Sequence, residues 1–228
     1  MRKNGSRLIS LRQYRITDLL IFAAILVVFD LLAHFAPMLF PAGAMFFLTL
    51  TVPITVLIMI RWGWYSAFFA VGDGLLLAVI NNTKVWQSYV SFAIGNAAIL
   101  LLLILIKFVG KKAITRKWYF SALFTVAAWV LMCTGQTLVQ TILGYDFLAV
   151  AAGNFGVGIT GLFSLVMAVV LVLVFRRFDG MFEDQVEYLK RTDKERKDKM
   201  RRDEFGDEPI EIDEETISIL QKKDDDLY

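Results

Sequence analysis

Asp30 and Asp73 interrupt stretches otherwise apolar enough to span a bilayer, and they are two of only four acidic residues in the first 175 positions. A carboxylate near the centre of a membrane helix costs roughly 2.5 to 3.5 kcal/mol on insertion scales, so such residues face a bundle interior, a wet cavity or a ligand. Asn96, Gln136, Gln140 and Asn154 fall in similar surroundings, and His34 follows Asp30 by four residues, which puts the two on one helix face. The same spacing joins Trp129, Cys133, Gln136 and Gln140 into one stripe. These residue types bind better than they catalyse. One histidine, no serine elbow and no closely spaced carboxylates leave no nucleophile and base. A single histidine and a single cysteine, Cys133, can build neither a Cys/His metal site nor an internal disulfide. The expectation is a binding protein with no catalytic residue, metal or cofactor. Two carboxylates would favour a cationic or donor-rich solute, unless Asp73 merely fastens its helix. Gly156, Gly158 and Gly161 spell the dinucleotide pattern G-x-G-x-x-G, but no strand precedes them. Together with Ala152 and Gly153 they read as small residues that let a helix or a ligand approach the backbone.

The elements that must hold these groups are membrane helices. Of the 228 residues 57% are hydrophobic, and the apolar residues come in blocks. About 20 apolar residues cross a hydrocarbon core, and six stretches qualify, near 16–36, 43–60, 62–81, 88–109, 119–142 and 147–175. The runs lack the alternation of a membrane barrel. The first reads as a retained helix, because no small-residue cleavage pattern follows it. The predicted fold is an all-α membrane protein of six transmembrane helices. Lys and Arg gather before the first stretch, at Arg61, around residues 107–117 and at Arg176 and Arg177, while the alternate connections hold only Lys84, so both termini are cytoplasmic by the positive-inside rule.

That topology assigns depths. At about 1.5 Å per residue, Asp30 lies about 21 Å, Asp73 about 18 Å and Gln136 about 25 Å from the inner ends of their helices. Asn96 and Asn154, counted from the outer ends, meet them at about 12 and 10 Å. Carboxylates, amides and the imidazole thus avoid the inner half of every span. An outward-open pocket for a small polar solute follows, with Asn81, Asn82 and Trp86 in a lid. Trp62, Trp64, Trp86 and Trp118 also have the composition of interfacial anchors.

Charge divides the chain at about residue 178. Residues 1–175 hold 12 Lys/Arg against 4 Asp/Glu, whereas residues 176–228 hold 12 against 18. A membrane domain over 1–178 and a cytoplasmic charged tail over 179–228 are expected, and nucleic acid is not an expected partner. The tail's first part has i,i+4 pairs Glu187/Arg191, Asp193/Lys197, Glu195/Lys199 and Asp198/Arg202, the pattern of a solvated helix, and its acidic end has the composition of disorder.

Arg61-Trp62-Gly63-Trp64-Tyr65-Ser66-Ala67 followed by Gly72-Asp73-Gly74-Leu75-Leu76, with Pro53 before the turn, resembles the small-residue-rich third helix of substrate-binding S components of energy-coupling factor transporters. The motif covers about fifteen residues, and the likeness of architecture covers 10–178. The resemblance implies a bacterial plasma-membrane protein that captures a vitamin-like micronutrient under its outer loops. It further implies a transmembrane coupling subunit and two cytoplasmic ATPase subunits as partners. Ala23 and Ala24 would stand in the docking patch on helix 1, where the family's Ala-x-x-x-Ala is here completed by Val27 and Val28. Two other classes fit parts of the sequence. A bacterial membrane scaffold or cell-envelope protein would recruit cytoplasmic partners through 180–228, and a proton-coupled carrier would use Asp30 and Asp73, although no internal repeat is evident.

Overall fold

The computed structural model describes residues 11–39, 49–80, 85–156 and 159–205. Among these every regular element is helical: α1 (Leu11–Leu39), α2 (Thr51–Trp62), α3 (Ser66–Ile80), α4 (Trp86–Ala97), α5 (Leu102–Val109), α6 (Lys111–Arg116), α7 (Trp118–Ile142), α8 (Phe147–Asn154), α9 (Ile159–Arg177) and α10 (Gln185–Phe205). Short 3-10 turns, Gly63–Tyr65 and Ala98–Leu101, join α2 to α3 and α4 to α5. Four stretches are long and apolar enough to cross a membrane: Leu11–Phe35, Thr51–Ile80, Trp86–Val109 and Trp118–Ile142. Lipid offers the backbone no hydrogen-bond partner, so helices are the form such sequences take.

Thr51–Ile80 is not one rod. Laid straight, its ends would be about 44 Å apart, yet the Thr51 hydroxyl donates to the Asp73 carboxylate, so the chain doubles back at Gly63. That glycine has φ 65° and ψ −119°, a backbone region essentially closed to other residues. Pro53 is accommodated in the first turn of α2, where an N–H would lack a helical partner anyway. All twelve residues of α2 are buried, so this apolar helix is the core around which the others pack. In contrast α1 turns much of its surface outward, with Leu20 and Leu32 each 64% exposed.

The base of this hairpin corrects one expectation. Arg61 belongs to the last turn of α2 rather than to a solvated connection, and it is buried. Its guanidinium makes a forked ion pair with Asp18 of α1 at 2.6 and 3.0 Å. It also donates to the carbonyls of Gly180 and Met181 at 2.8 and 2.9 Å. Trp62 adds an indole N–H to Asp18 at 2.6 Å. The first compact unit therefore runs past α9 to Gln185, whose buried amide donates to Gly180 O and accepts from Tyr14. Lys111 pairs with Asp184, and Arg176 caps the carbonyls of Thr115 and Arg116 at the end of α6.

Glycine sets the closest helix contacts. A Cβ on Gly74 would strike the Phe92 carbonyl, one on Gly95 would lie 2.6 Å from the Gln136 Cα, and one on Gly135 would strike the Gly95 carbonyl. Small residues let backbones meet in membrane bundles, and here they clamp α4 between α3 and α7. Gly153, expected to serve this purpose, has an open side.

The sixth apolar stretch is also broken. Expected as one long helix over 147–175, it ends as α8 at Asn154, turns at Gly156 (φ 58°) and resumes as α9 at Ile159. Asp146 caps α8 by accepting from the Ala149 N–H at 2.9 Å.

The second compact unit begins at Val186. It carries the rest of the charged helix α10, in which Asp193 and Lys197 pair at 2.8 Å and Arg191 reaches Glu195 at 3.8 Å. The hydrogen bond that Lys197 donates to Asp193, and then the charge of that carboxylate, raises the Lys197 pKa above the usual lysine value. The acidic end, 206–228, lies outside the described residues.

Candidate functional site

A cavity of about 240 Å³ opens between α2, α4, α7 and the α8–α9 break. Its polar lining is Thr49, Thr51, Asn96, Gln136, Asn154 and Ser164. The apolar part comes from Leu77, Phe92, Trp129, Met132 and Cys133, and Gly153 and Gly156 expose backbone at the break. Asn96 is held by the Gly95 contact beside Gln136, whose Nε2 donates to Asn96 Oδ1 at 2.7 Å. Asn96 is fully buried, and its Nδ2 has no protein partner. Asn154, the last residue of α8, donates to Thr137 Oγ1 at 3.1 Å and to Gln140 Oε1 at 3.4 Å.

Asp30 and Asp73 sit behind this cavity rather than on its wall. Both are 2% exposed, and their carboxyl groups lie within hydrogen-bonding reach of each other. Thr49 donates to Asp30 at 3.3 Å, and its Oγ1 also accepts from the Thr51 N–H at 3.1 Å. The Thr51 hydroxyl is turned to Asp73. One oxygen of each acid, Asp30 Oδ2 and Asp73 Oδ1, has no donor. The result is a polar knot tying α1 to the α2–α3 hairpin, with the threonines between the acids and the cavity.

Replacing Thr51 by valine, which keeps the shape and removes the hydroxyl, leaves Asp73 short of its donor, and about 1 to 3 kcal/mol of stability should go. Unfolding of the detergent-solubilised Thr51→Val variant measures this, and a stability equal to wild type would show that the knot does not hold the hairpin.

The expected site residues thus separate into groups. Asn96, Gln136 and Asn154 meet at the cavity; Gln140 supports Asn154 from outside the lining; Asp30 and Asp73 form the knot. His34 does not pair with Asp30 as its spacing suggested: it is half-buried and lies edge-on to Phe35 at 5.3 Å. Trp86 is 62% exposed at the start of α4 and is not part of the cavity wall. Asn81 and Asn82 lie outside the described residues. Ala23 packs on the core and Ala24 is exposed.

Thr49, Thr51 and Phe92 were not singled out from sequence. Threonine is common in membrane helices because its hydroxyl bonds its own backbone, so only the pairing with Asp30 and Asp73 distinguishes these two. Among the described residues no group of three His, Cys, Asp or Glu could hold a metal ion.

No family model matches this sequence, and no curated protein or solved structure matches it either.

Proposed function

We propose that this chain is the membrane-embedded substrate-capture subunit of an ATP-driven uptake transporter for a vitamin-like micronutrient, with no catalytic activity of its own. Six crossings with both termini in the cytoplasm are part of the proposal. So are the bacterial plasma membrane, a transmembrane coupling subunit and two cytoplasmic ATPase subunits, all of which come from the resemblance around Gly63 and Asp73. The observation that carries the reading is the convergence of two buried amides, from α4 and α7, and a half-buried one from α8 on one cavity. Idle amides in a bundle bond across helices and stop there, whereas Asn96 keeps an unmade donor. The interruption of the last stretch at the cavity is a second support, since transporter sites are commonly built where a membrane helix is discontinuous.

Purified protein should retain a solute detectable by mass spectrometry, and Gln136→Ala should release it, with affinity falling about tenfold or more through loss of the amide that orients Asn96. A preparation free of solute that also binds none of the water-soluble vitamins would overturn the reading. The scaffold alternative draws on the charged helix α10. It requires that truncation after Gln185, which removes the second compact unit, abolish function, whereas capture requires that the truncated chain still bind its solute.

A further inference from the structure

Resting on the capture reading, we infer that the solute is an uncharged, ring-bearing molecule that presents a hydrogen-bond acceptor, such as a carbonyl or ring nitrogen, to Asn96 Nδ2. Among the described residues the lining contains no Lys, Arg, His, Asp or Glu. An ionised solute would leave water for a site without a counter-charge, which costs several kcal/mol even after the protein relaxes. The nearest acids are unavailable as that counter-charge. Asp30 and Asp73 face one another, and the hydroxyls between them and the cavity are turned inward, Thr51 to Asp73 and Thr49 to Asp30.

The acceptor follows from a buried donor that, among the described residues lining the cavity, is left without a partner. Gln136 spends its Nε2 on Asn96 Oδ1, Asn154 spends its Nδ2 on Thr137 and Gln140, and Asn96 Nδ2 is left at a position with no exposure to solvent. A buried donor without a partner costs about as much as a lost hydrogen bond, and an incoming acceptor removes that cost. The ring follows from size and lining. A dry cavity of about 150 Å³ holds benzene, so 240 Å³ takes a substituted or fused ring. Phe92 and Trp129 offer it aromatic surface, and Met132 and Cys133 offer polarisable sulfur.

The test is a competition on the full chain in detergent, using a library of vitamin-sized ring compounds sorted into neutral, cationic and anionic sets of matched size. Neutral, acceptor-bearing members should bind, and charged analogues of the same ring should bind at least about a hundredfold more weakly. The double variant Asn96→Leu/Gln136→Leu, which removes both partners of the buried bond and so leaves neither unpaired, should keep its unfolding temperature and lose the neutral ligands by about tenfold or more. Preference for a cationic or anionic set would overturn the inference while leaving capture standing. Unchanged neutral binding by the double variant would overturn the role of Asn96. Binding by no set, together with no co-purifying molecule, would overturn capture and the inference with it.

Discussion

Arg61→Ala should be the most destabilising single substitution outside the cavity, at about 3 to 5 kcal/mol, the range found when one partner of a buried ion pair is removed. The loss exceeds that of a salt bridge on the surface because four groups depend on one guanidinium. Of its partners among the described residues Asp18 would keep the Trp62 indole N–H, the Met181 carbonyl would lose the Arg61 donor, and the Gly180 carbonyl would keep the Gln185 amide alone. The face of the Phe22 ring, 5.4 Å from the guanidinium carbon, would lose its cation. Arg61→Lys keeps the charge but not the planar fork that serves a carboxylate on one side and two carbonyls on the other, so it should recover only part of the loss. Denaturant or thermal unfolding of the purified chain ranks the three proteins, and a double-mutant cycle with Asp18→Ala separates the ion pair from the carbonyl bonds. Equal stability of wild type and Arg61→Ala would end the claim that this arginine closes the base of the hairpin.

Arg61 also marks where reading the sequence stops being sufficient. Apolar blocks locate membrane helices because the bilayer leaves the backbone few alternatives, and the described parts of all six stretches are helical apart from Thr49, Leu50 and the turn at Phe155 and Gly156. The positive-inside rule treats a basic residue between two blocks as solvated. It has no means of registering that Asp18, 43 residues earlier, supplies a partner. Asp18, two residues inside the first stretch, is the exception to the expectation that carboxylates avoid the inner half of every span. The pairing became visible only once the α2–α3 hairpin and α1 were side by side.

The cavity shows the same division. Depth counting put Asn96 and Gln136 at comparable heights on different helices, and they form a 2.7 Å hydrogen bond. Depth says nothing about azimuth, however, and azimuth decides whether a side chain meets a cavity or a neighbour. Asp30 and Asp73 have depths like those of the amides, yet they turn to one another behind Thr49 and Thr51. His34 shares a helix face with Asp30, but its ring lies against Phe35. The break at Gly156 lies among Gly153, Gly156, Gly158 and Gly161, small residues that suit close helix packing as readily as a turn. A glycine with positive φ interrupts a helix without changing composition.

Gly95→Leu should damage both assembly and binding, because the obstacle to a side chain there is backbone. A Cβ at that position would lie 2.6 Å from the Gln136 Cα and 2.8 Å from its nitrogen, and backbone atoms in a hydrogen-bonded helix cannot rotate aside. Overpacking of this kind costs about 1 to 3 kcal/mol and sometimes more. The only relief is for α4 and α7 to part. Parting them moves Asn96, the next residue in the chain, away from Gln136, so the 2.7 Å bond on the cavity wall lengthens together with the glycine contact. Gly72→Leu is the matched control, since a Cβ there meets nothing within 4 Å, and it should unfold and bind like wild type. Unfolding temperature and solute retention, measured on both variants, should therefore fall together for Gly95→Leu and stay unchanged for Gly72→Leu. If Gly95→Leu were destabilised yet bound normally, the α4–α7 contact would be structural only, and the geometry of the Asn96 amide would not depend on it.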